Sequence, residues 1–180
     1  MARGKRAKET NSKPLIVFIF VVIIMAFLGF SLHKVFKSDN LLDGYSLYET
    51  TNYTVQYKSD WSSVVSEDTP TMTVFSSPDK LGVINIVTEE LPEQYTLEQY
   101  IDKSIKNIKP VFDLTDDDIS KEPYSINGMD VYRLTYNVNE TTTVTQTIFL
   151  SNGSAYIVAY NNATDYFDVY HNMENTLIMK

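Results

Sequence analysis

The chain reads as an α+β protein: an N-terminal transmembrane helix followed by an antiparallel β-sheet flanked by helices. Three observations lead there. Nineteen residues without a charge, Pro14–Leu32, lie near the N-terminus. Beyond Tyr45 apolar residues recur at every second position, punctuated by the pairs Asn127-Gly128 and Asn152-Gly153, which is the pattern of strands joined by tight hairpins. Two stretches, Thr96–Lys109 and Thr164–Met179, switch to helical spacing.

At ~1.5 Å rise per residue the first run spans roughly 28 Å, close to the ~30 Å hydrocarbon core of a bilayer. An unpaired backbone amide in lipid costs several kcal/mol, so such a segment must be a helix. It divides the chain into residues 1–13 (a cytoplasmic basic tail), 14–32 (the transmembrane helix), 33–44 (a linker) and 45–180 (an extracytoplasmic domain). The charges divide with it. Residues 1–37 carry seven Lys or Arg against one Glu, a net +6, and residues 38–180 carry eight against 22 acids, a net −14. Five of the basic residues precede the apolar run, so the positive-inside rule keeps the N-terminus in the cytoplasm and sends the body out. A cleaved signal peptide is the competing reading, but its apolar region is shorter and ends at small residues. Here Phe27-Leu28-Gly29 and Phe30-Ser31-Leu32 make poor cleavage sites.

Composition removes several function classes. There is no cysteine, which excludes a disulfide framework, thiolate metal ligation and a cysteine nucleophile. A body at −14 is repelled by phosphates, so nucleic acid is not a partner. The expected partners are the membrane and an envelope protein or glycan.

Within the body, Tyr53, Val55 and Tyr57 share one strand face, and Ser59-Asp60-Trp61 turns the chain. Met72 and Val74 mark a second strand, Ser77–Lys80 a turn, and Leu81–Val87 a strand apolar on both faces, closed by Leu91-Pro92. Thr96 and Gln99 have the spacing of a capping box, the stripe Leu97, Tyr100, Ile101, Ile105 and Ile108 follows, and Pro110 is expected to end the helix. Four strands come next: Ser120–Ile126, Met129–Val138, Thr142–Leu150 and Ser154–Tyr160, the last apolar on both faces and so central. The terminal helix, Thr164–Met179, has Thr164 as N-cap and the stripe Tyr166, Tyr170, Met173 and Leu177.

The segment Tyr53–Trp61 (YTVQYKSDW), Ile126-Asn127-Gly128 leading into Val131–Tyr136, and Ala155–Val158 before a terminal helix resemble the PsbP-like family, named for an extrinsic subunit of photosystem II. Most of residues 45–180 is covered, and Lys58 stands where the family usually has proline. The resemblance implies an antiparallel sheet sandwiched by helices, serving as an accessory or binding subunit rather than an enzyme; with the apolar run read above as an anchor, the chain is expected to be a membrane-anchored member. No ion-site residue of the photosynthetic branch has a counterpart here.

No catalytic motif, cofactor signature or metal motif emerges. His171 is the body's one histidine and has no obvious sequence neighbour to orient it; His33 belongs to the membrane interface. Asp113, Asp116, Asp117 and Asp118 form the densest acidic cluster and are weak calcium candidates, since calcium takes several oxygen ligands. Asn52, Asn139, Asn152 and Asn162 head Asn-x-Ser/Thr sequons and are glycosylation candidates. Thirteen tyrosines fit core positions bordering water; Tyr45, Tyr48, Tyr95 or Tyr124 could instead build a sugar- or peptide-contacting surface. The leading expectation is a single-pass, membrane-anchored extracytoplasmic binding or accessory domain. Two alternatives stay open: a cell-envelope hydrolase using a carboxylate pair, and a surface-glycan-binding module.

Overall fold

The computed structural model describes residues 41–92, 95–161 and 165–180. The expected anchor Pro14–Leu32, the tail, His33, Asn162 and the expected N-cap Thr164 lie outside the described residues. Among the described residues no helix is long and apolar enough to cross a membrane.

The described chain folds as β1 (Tyr45–Glu49), β2 (Tyr53–Lys58), β3 (Ser62–Val65), β4 (Met72–Ser76), β5 (Val83–Glu90), α1 (Leu97–Phe112), a 3-10 turn (Asp116–Asp118), β6 (Ile119–Ile126), β7 (Met129–Asn139), β8 (Thr142–Ser151), β9 (Ser154–Asn161), α2 (Phe167–Thr176) and β10 (Ile178–Met179). All pairings are antiparallel. A seven-stranded sheet has the order β3-β4-β5-β9-β8-β7-β6, and a three-stranded sheet the order β1-β2-β10. The expected meander is therefore present, and the Tyr156–Tyr160 strand lies at the centre of the larger sheet.

Both hairpin turns close as two-residue loops, pairing Ile126 with Met129 and Ser151 with Ser154. Asn127 (φ 52°), Gly128 (φ 79°), Asn152 (φ 51°) and Gly153 (φ 75°) all take the left-handed backbone that such turns demand. Alternation then sends side chains to two cores. One face carries Leu134, Tyr136, Val144, Ile148 and Ile157 against Tyr100, Ile101 and Ile108 of α1. The other carries Phe75, Ile84, Ile86, Phe149, Val158 and Tyr160 against Tyr53 and Val55 of β2 and Tyr170 and Met173 of α2. The layers are thus α1, the large sheet, and a third layer made of α2 with the small sheet. Burial of apolar area on both sheet faces holds it together, at about 25 cal/mol per Å² removed from water.

Three expectations need correction. The capping box forms as expected, with Gln99 N–H on Thr96 Oγ1 (3.2 Å) and Thr96 N–H on Gln99 Oε1 (3.0 Å), yet α1 runs through Pro110 to Phe112. In the last turn proline removes just one bond, to the Lys106 carbonyl. The end is recovered by Asp113, whose left-handed backbone (φ 55°) aims its N–H at the Lys109 carbonyl, and by Phe112 against Tyr136 at 5.9 Å. The terminal helix is shorter than its apolar stripe, because Leu177 is extended (ψ 119°) and Ile178–Met179 pairs with β2. The body holds a second sheet, and β1 and β3 are strands of their own.

Candidate functional site

Two places in the described residues gather polar chemistry. The first is a sealed carboxylate. Among the described residues Glu174 is the one buried acid, at 0% exposure. It lies on the inner face of α2, in the turn that follows Tyr170, opposite β6, β7 and β8. Its Oε1 accepts from Arg133 Nη2 (2.5 Å) and His171 Nδ1 (2.8 Å), and its Oε2 from Tyr124 Oη (2.9 Å) and Thr147 Oγ1 (2.6 Å). Tyr170 Oη meets Thr147 Oγ1 at 2.5 Å, and Arg133 Nη2 also donates to Tyr124 Oη at 2.7 Å. The guanidinium lies over the Tyr124 ring, 4.5 Å from its centroid. A buried charge is costly unless paired and hydrogen-bonded; here both oxygens are occupied by donors from four elements.

The surroundings shift the neighbours. Burial pushes the Tyr124 phenol up to about 12, with the Glu174 charge adding to it. Burial pushes Tyr170 well above the usual phenol range, again aided by Glu174. For Arg133 burial acts downward, but the Glu174 carboxylate together with the Tyr170 and Tyr124 hydroxyls outweighs it, and the guanidinium holds its proton more firmly. A carboxylate so enclosed and so fully bonded clamps α2 to the sheet; it has no oxygen left for a substrate.

The second place is an open groove of about 330 Å³ between the start of α1 and the β8–β9 hairpin. Leu91, Tyr95 and Leu150 give it an apolar floor. Thr96, Ser151, Asn152 and Ser154 give it a rim of hydroxyls and one amide. The capping box fixes Thr96, the left-handed hairpin turn fixes Asn152, and Leu91 N–H on the Gly153 carbonyl (2.9 Å) joins the two sides. Tyr95 stands edge-on to Tyr100 (6.3 Å, 81°), with Lys103 Nζ 4.9 Å over its ring. Tyr100 in turn donates to Glu89 Oε2 at 2.5 Å. Among the described residues no acid or base lines the groove.

The structure distributes the residues singled out from the sequence. Of the four tyrosines, Tyr95 lines the groove, Tyr124 belongs to the Glu174 network, Tyr48 is buried, and Tyr45 lies under Lys58 at 4.7 Å. Asp113 caps α1, Asp116 pairs with Lys109 (2.7 Å), Asp118 accepts from Thr115 N–H and Oγ1 (2.7 and 2.6 Å), and Asp117 is exposed. Among the described residues no group of three acids or histidines is arranged to hold a metal ion. Asn52, Asn139 and Asn152 are exposed, and Asn139 Oδ1 accepts from its own sequon's Thr141 N–H and Oγ1 (2.9 and 3.1 Å). His171 does have an orienting neighbour, Glu174 one turn on, and its ring stacks on Phe167 (6.2 Å, 10°). The signal for Glu174 was present: Tyr170, Met173, Glu174 and Leu177 lie at one-face helical spacing, which places an acid on the dry side.

No protein-family model matches the chain, and no curated protein matches it by sequence. Among solved structures it is similar to the solution structure of cyanobacterial PsbP from Synechocystis sp. PCC 6803. The superposition has a TM-score of 0.59 at 16% identity and covers 80% of this chain and 97% of that one. The fold is PsbP-like. A crystal structure from Bacteroides thetaiotaomicron VPI-5482 matches at a TM-score of 0.48 and 17% identity, over 71% of this chain and 45% of that one.

Proposed function

We propose that this chain is a single-pass, membrane-anchored extracytoplasmic accessory module that holds a partner in the groove floored by Leu91, Tyr95 and Leu150. The observation that carries the reading is the contrast between the two polar sites. Among the described residues the open groove is lined by apolar, hydroxyl and amide groups, and the one buried carboxylate, Glu174, is sealed away from it. A carboxylate-pair hydrolase calls for the reverse: an accessible cleft into which acids converge. The uncharged run Pro14–Leu32 and the charge division of +6 against −14 support the anchor and its orientation.

Two measurements on the full chain in its native membrane test this. Protease added to intact cells should remove the body and leave the anchor; protection until lysis overturns the orientation. A photo-crosslinker at position 152 should trap a discrete partner, and Tyr95→Ala should abolish the adduct. An adduct unaffected by Tyr95→Ala removes the groove from the reading.

The hydroxyl and amide groups that line the groove beside Tyr95 favour a second reading, a surface-glycan-binding module, because a neutral sugar offers hydroxyls to such groups and an apolar face to a ring. Titration with neutral oligosaccharides that gives no heat rejects it. Glycosylation at Asn152 would fill that rim, so an intact mass equal to the bare sequence also shows that the groove is open in the native protein.

A further inference from the structure

We infer that the outer surface of the third layer, formed by β1, β2, β10 and α2, rests on the bilayer, with Leu42, Phe167 and Ile178 reaching the headgroup region. The inference rests on the anchored reading above and adds to it which side of the domain faces the lipid.

Strand alternation identifies the surface. Tyr53 and Val55 point into the core, so Thr54, Gln56 and Lys58 point outward, and Ile178, paired with Thr54, points outward with them. Among the described residues the exposed large apolar side chains are Leu42 (49%), Leu81 (56%), Val111 (37%), Phe167 (40%) and Ile178 (65%). Three of these five belong to the third layer or to the segment leading into it. Leu81 borders it, since the adjacent Gly82 lies beneath the ring of Tyr166, the N-cap of α2. Single exposed apolar residues need no explanation, but several on one face mark an interaction surface.

The occupant follows from where the chain enters. Leu42 N–H donates to the outward Gln56 side chain (3.1 Å), and Gln56 is tied to α2 through Thr176 Oγ1 (3.1 Å) and Asn172 Nδ2 (3.4 Å). The link from the apolar run therefore joins the domain on this same face. Residues 33–40 extend at most about 29 Å, roughly the width of a small domain, so the entry side is kept toward the bilayer. The face is close to neutral, since Lys180 pairs with Glu49 of β1 (2.7 Å) and Lys58 of β2 is offset by Asp168 in the first turn of α2, so the contact with lipid is apolar rather than a matter of net charge. Apolar and aromatic side chains at that depth gain from leaving water without crossing the hydrocarbon.

The native chain has no cysteine, so single dyes can be placed in the full chain reconstituted in phosphatidylcholine vesicles containing brominated lipid. Phe167→Cys and Ile178→Cys carry the probe on the proposed face, Leu42→Cys at its entry, Asp117→Cys on the opposite side, and Ile23→Cys in the anchor. The expected result is loss of fluorescence to brominated lipid at 23, 42, 167 and 178, with 117 unaffected. If 23 is quenched while 167 and 178 behave like 117, the face assignment falls and the anchor stands. If 23 is not quenched, the anchor falls and this inference with it. Shielding of 167 and 178 from an aqueous quencher without quenching by lipid means that protein covers the face, which overturns the bilayer as occupant. Trp61 emission matching the parent chain in each labelled variant shows that the fold is retained.

Discussion

Arg133→Met removes the cation beside Glu174 and leaves a carboxylate buried with three neutral or half-exposed donors. Stranding one partner of a buried ion pair costs about 3–5 kcal/mol, so urea unfolding followed by Trp61 emission should show a loss of that order. Replacing both members, Arg133→Met with Glu174→Leu, should recover most of it, because the desolvation of both charges disappears together with their attraction. A double variant no better than the single one would mean that geometry, not charge, makes the clamp. Gly82 tests packing instead of charge. A Cβ there would sit 2.3 Å from Tyr166 Cδ2 and 2.7 Å from Cε2. Gly82→Ala must displace that ring, which donates to Asp79 Oδ2 (2.9 Å) and meets Trp61 edge-on at 5.2 Å. Overpacking of this kind costs about 1–3 kcal/mol, and a shift in Trp61 emission should accompany it.

At the scale of elements the hairpin turns set strand register, and their glycines carry the strain. Gly128 (φ 79°) and Gly153 (φ 75°) have nothing within 4 Å of an added Cβ, so alanine there is opposed by backbone conformation alone. Each of Gly128→Ala and Gly153→Ala should cost about 1–2 kcal/mol in the same urea assay, and the second should also distort the groove. These turns were legible because Asn-Gly carries a backbone requirement in its side chains. The Thr96–Gln99 box and the doubly apolar Tyr156–Tyr160 strand were legible for similar reasons: local bonding and two-sided burial both leave a pattern. β3 left almost none, since Ser62-Ser63-Val64-Val65 is a short edge strand whose pairing is decided by β4. Pro110 does not mark the stop, because a proline in the last turn costs one bond, while Asp113 and Phe112, beyond it, supply the ending. Half of the groove was legible, as Tyr95 and Asn152 stood out separately; that they share one hollow depends on how α1 crosses the sheet.

For the whole molecule the tyrosines give the sharpest test, because they lie on both sides of one sheet. Tyr100 and Tyr136 lie in the core beneath α1, Tyr53 and Tyr170 in the core beneath the third layer, and Tyr124 at the edge of the latter. Burial raises the ionisation of all five above the ordinary 10.0, to about 12 for Tyr124. A phenol raised in the folded chain keeps its proton more firmly there than in the unfolded chain. Its contribution to stability is therefore complete below pH 10.0 and is lost as pH climbs through the folded value. Both cores share β9, which sends Tyr156, Val158 and Tyr160 to one and Ala155 and Ile157 to the other, so neither core can open alone. In an alkaline titration the phenols of Tyr53, Tyr100, Tyr124, Tyr136 and Tyr170 should ionise only above pH 10, in a steep step that coincides with the loss of native Trp61 emission. If they ionise near pH 10 while Trp61 keeps its native signal, the two-sided core is refuted.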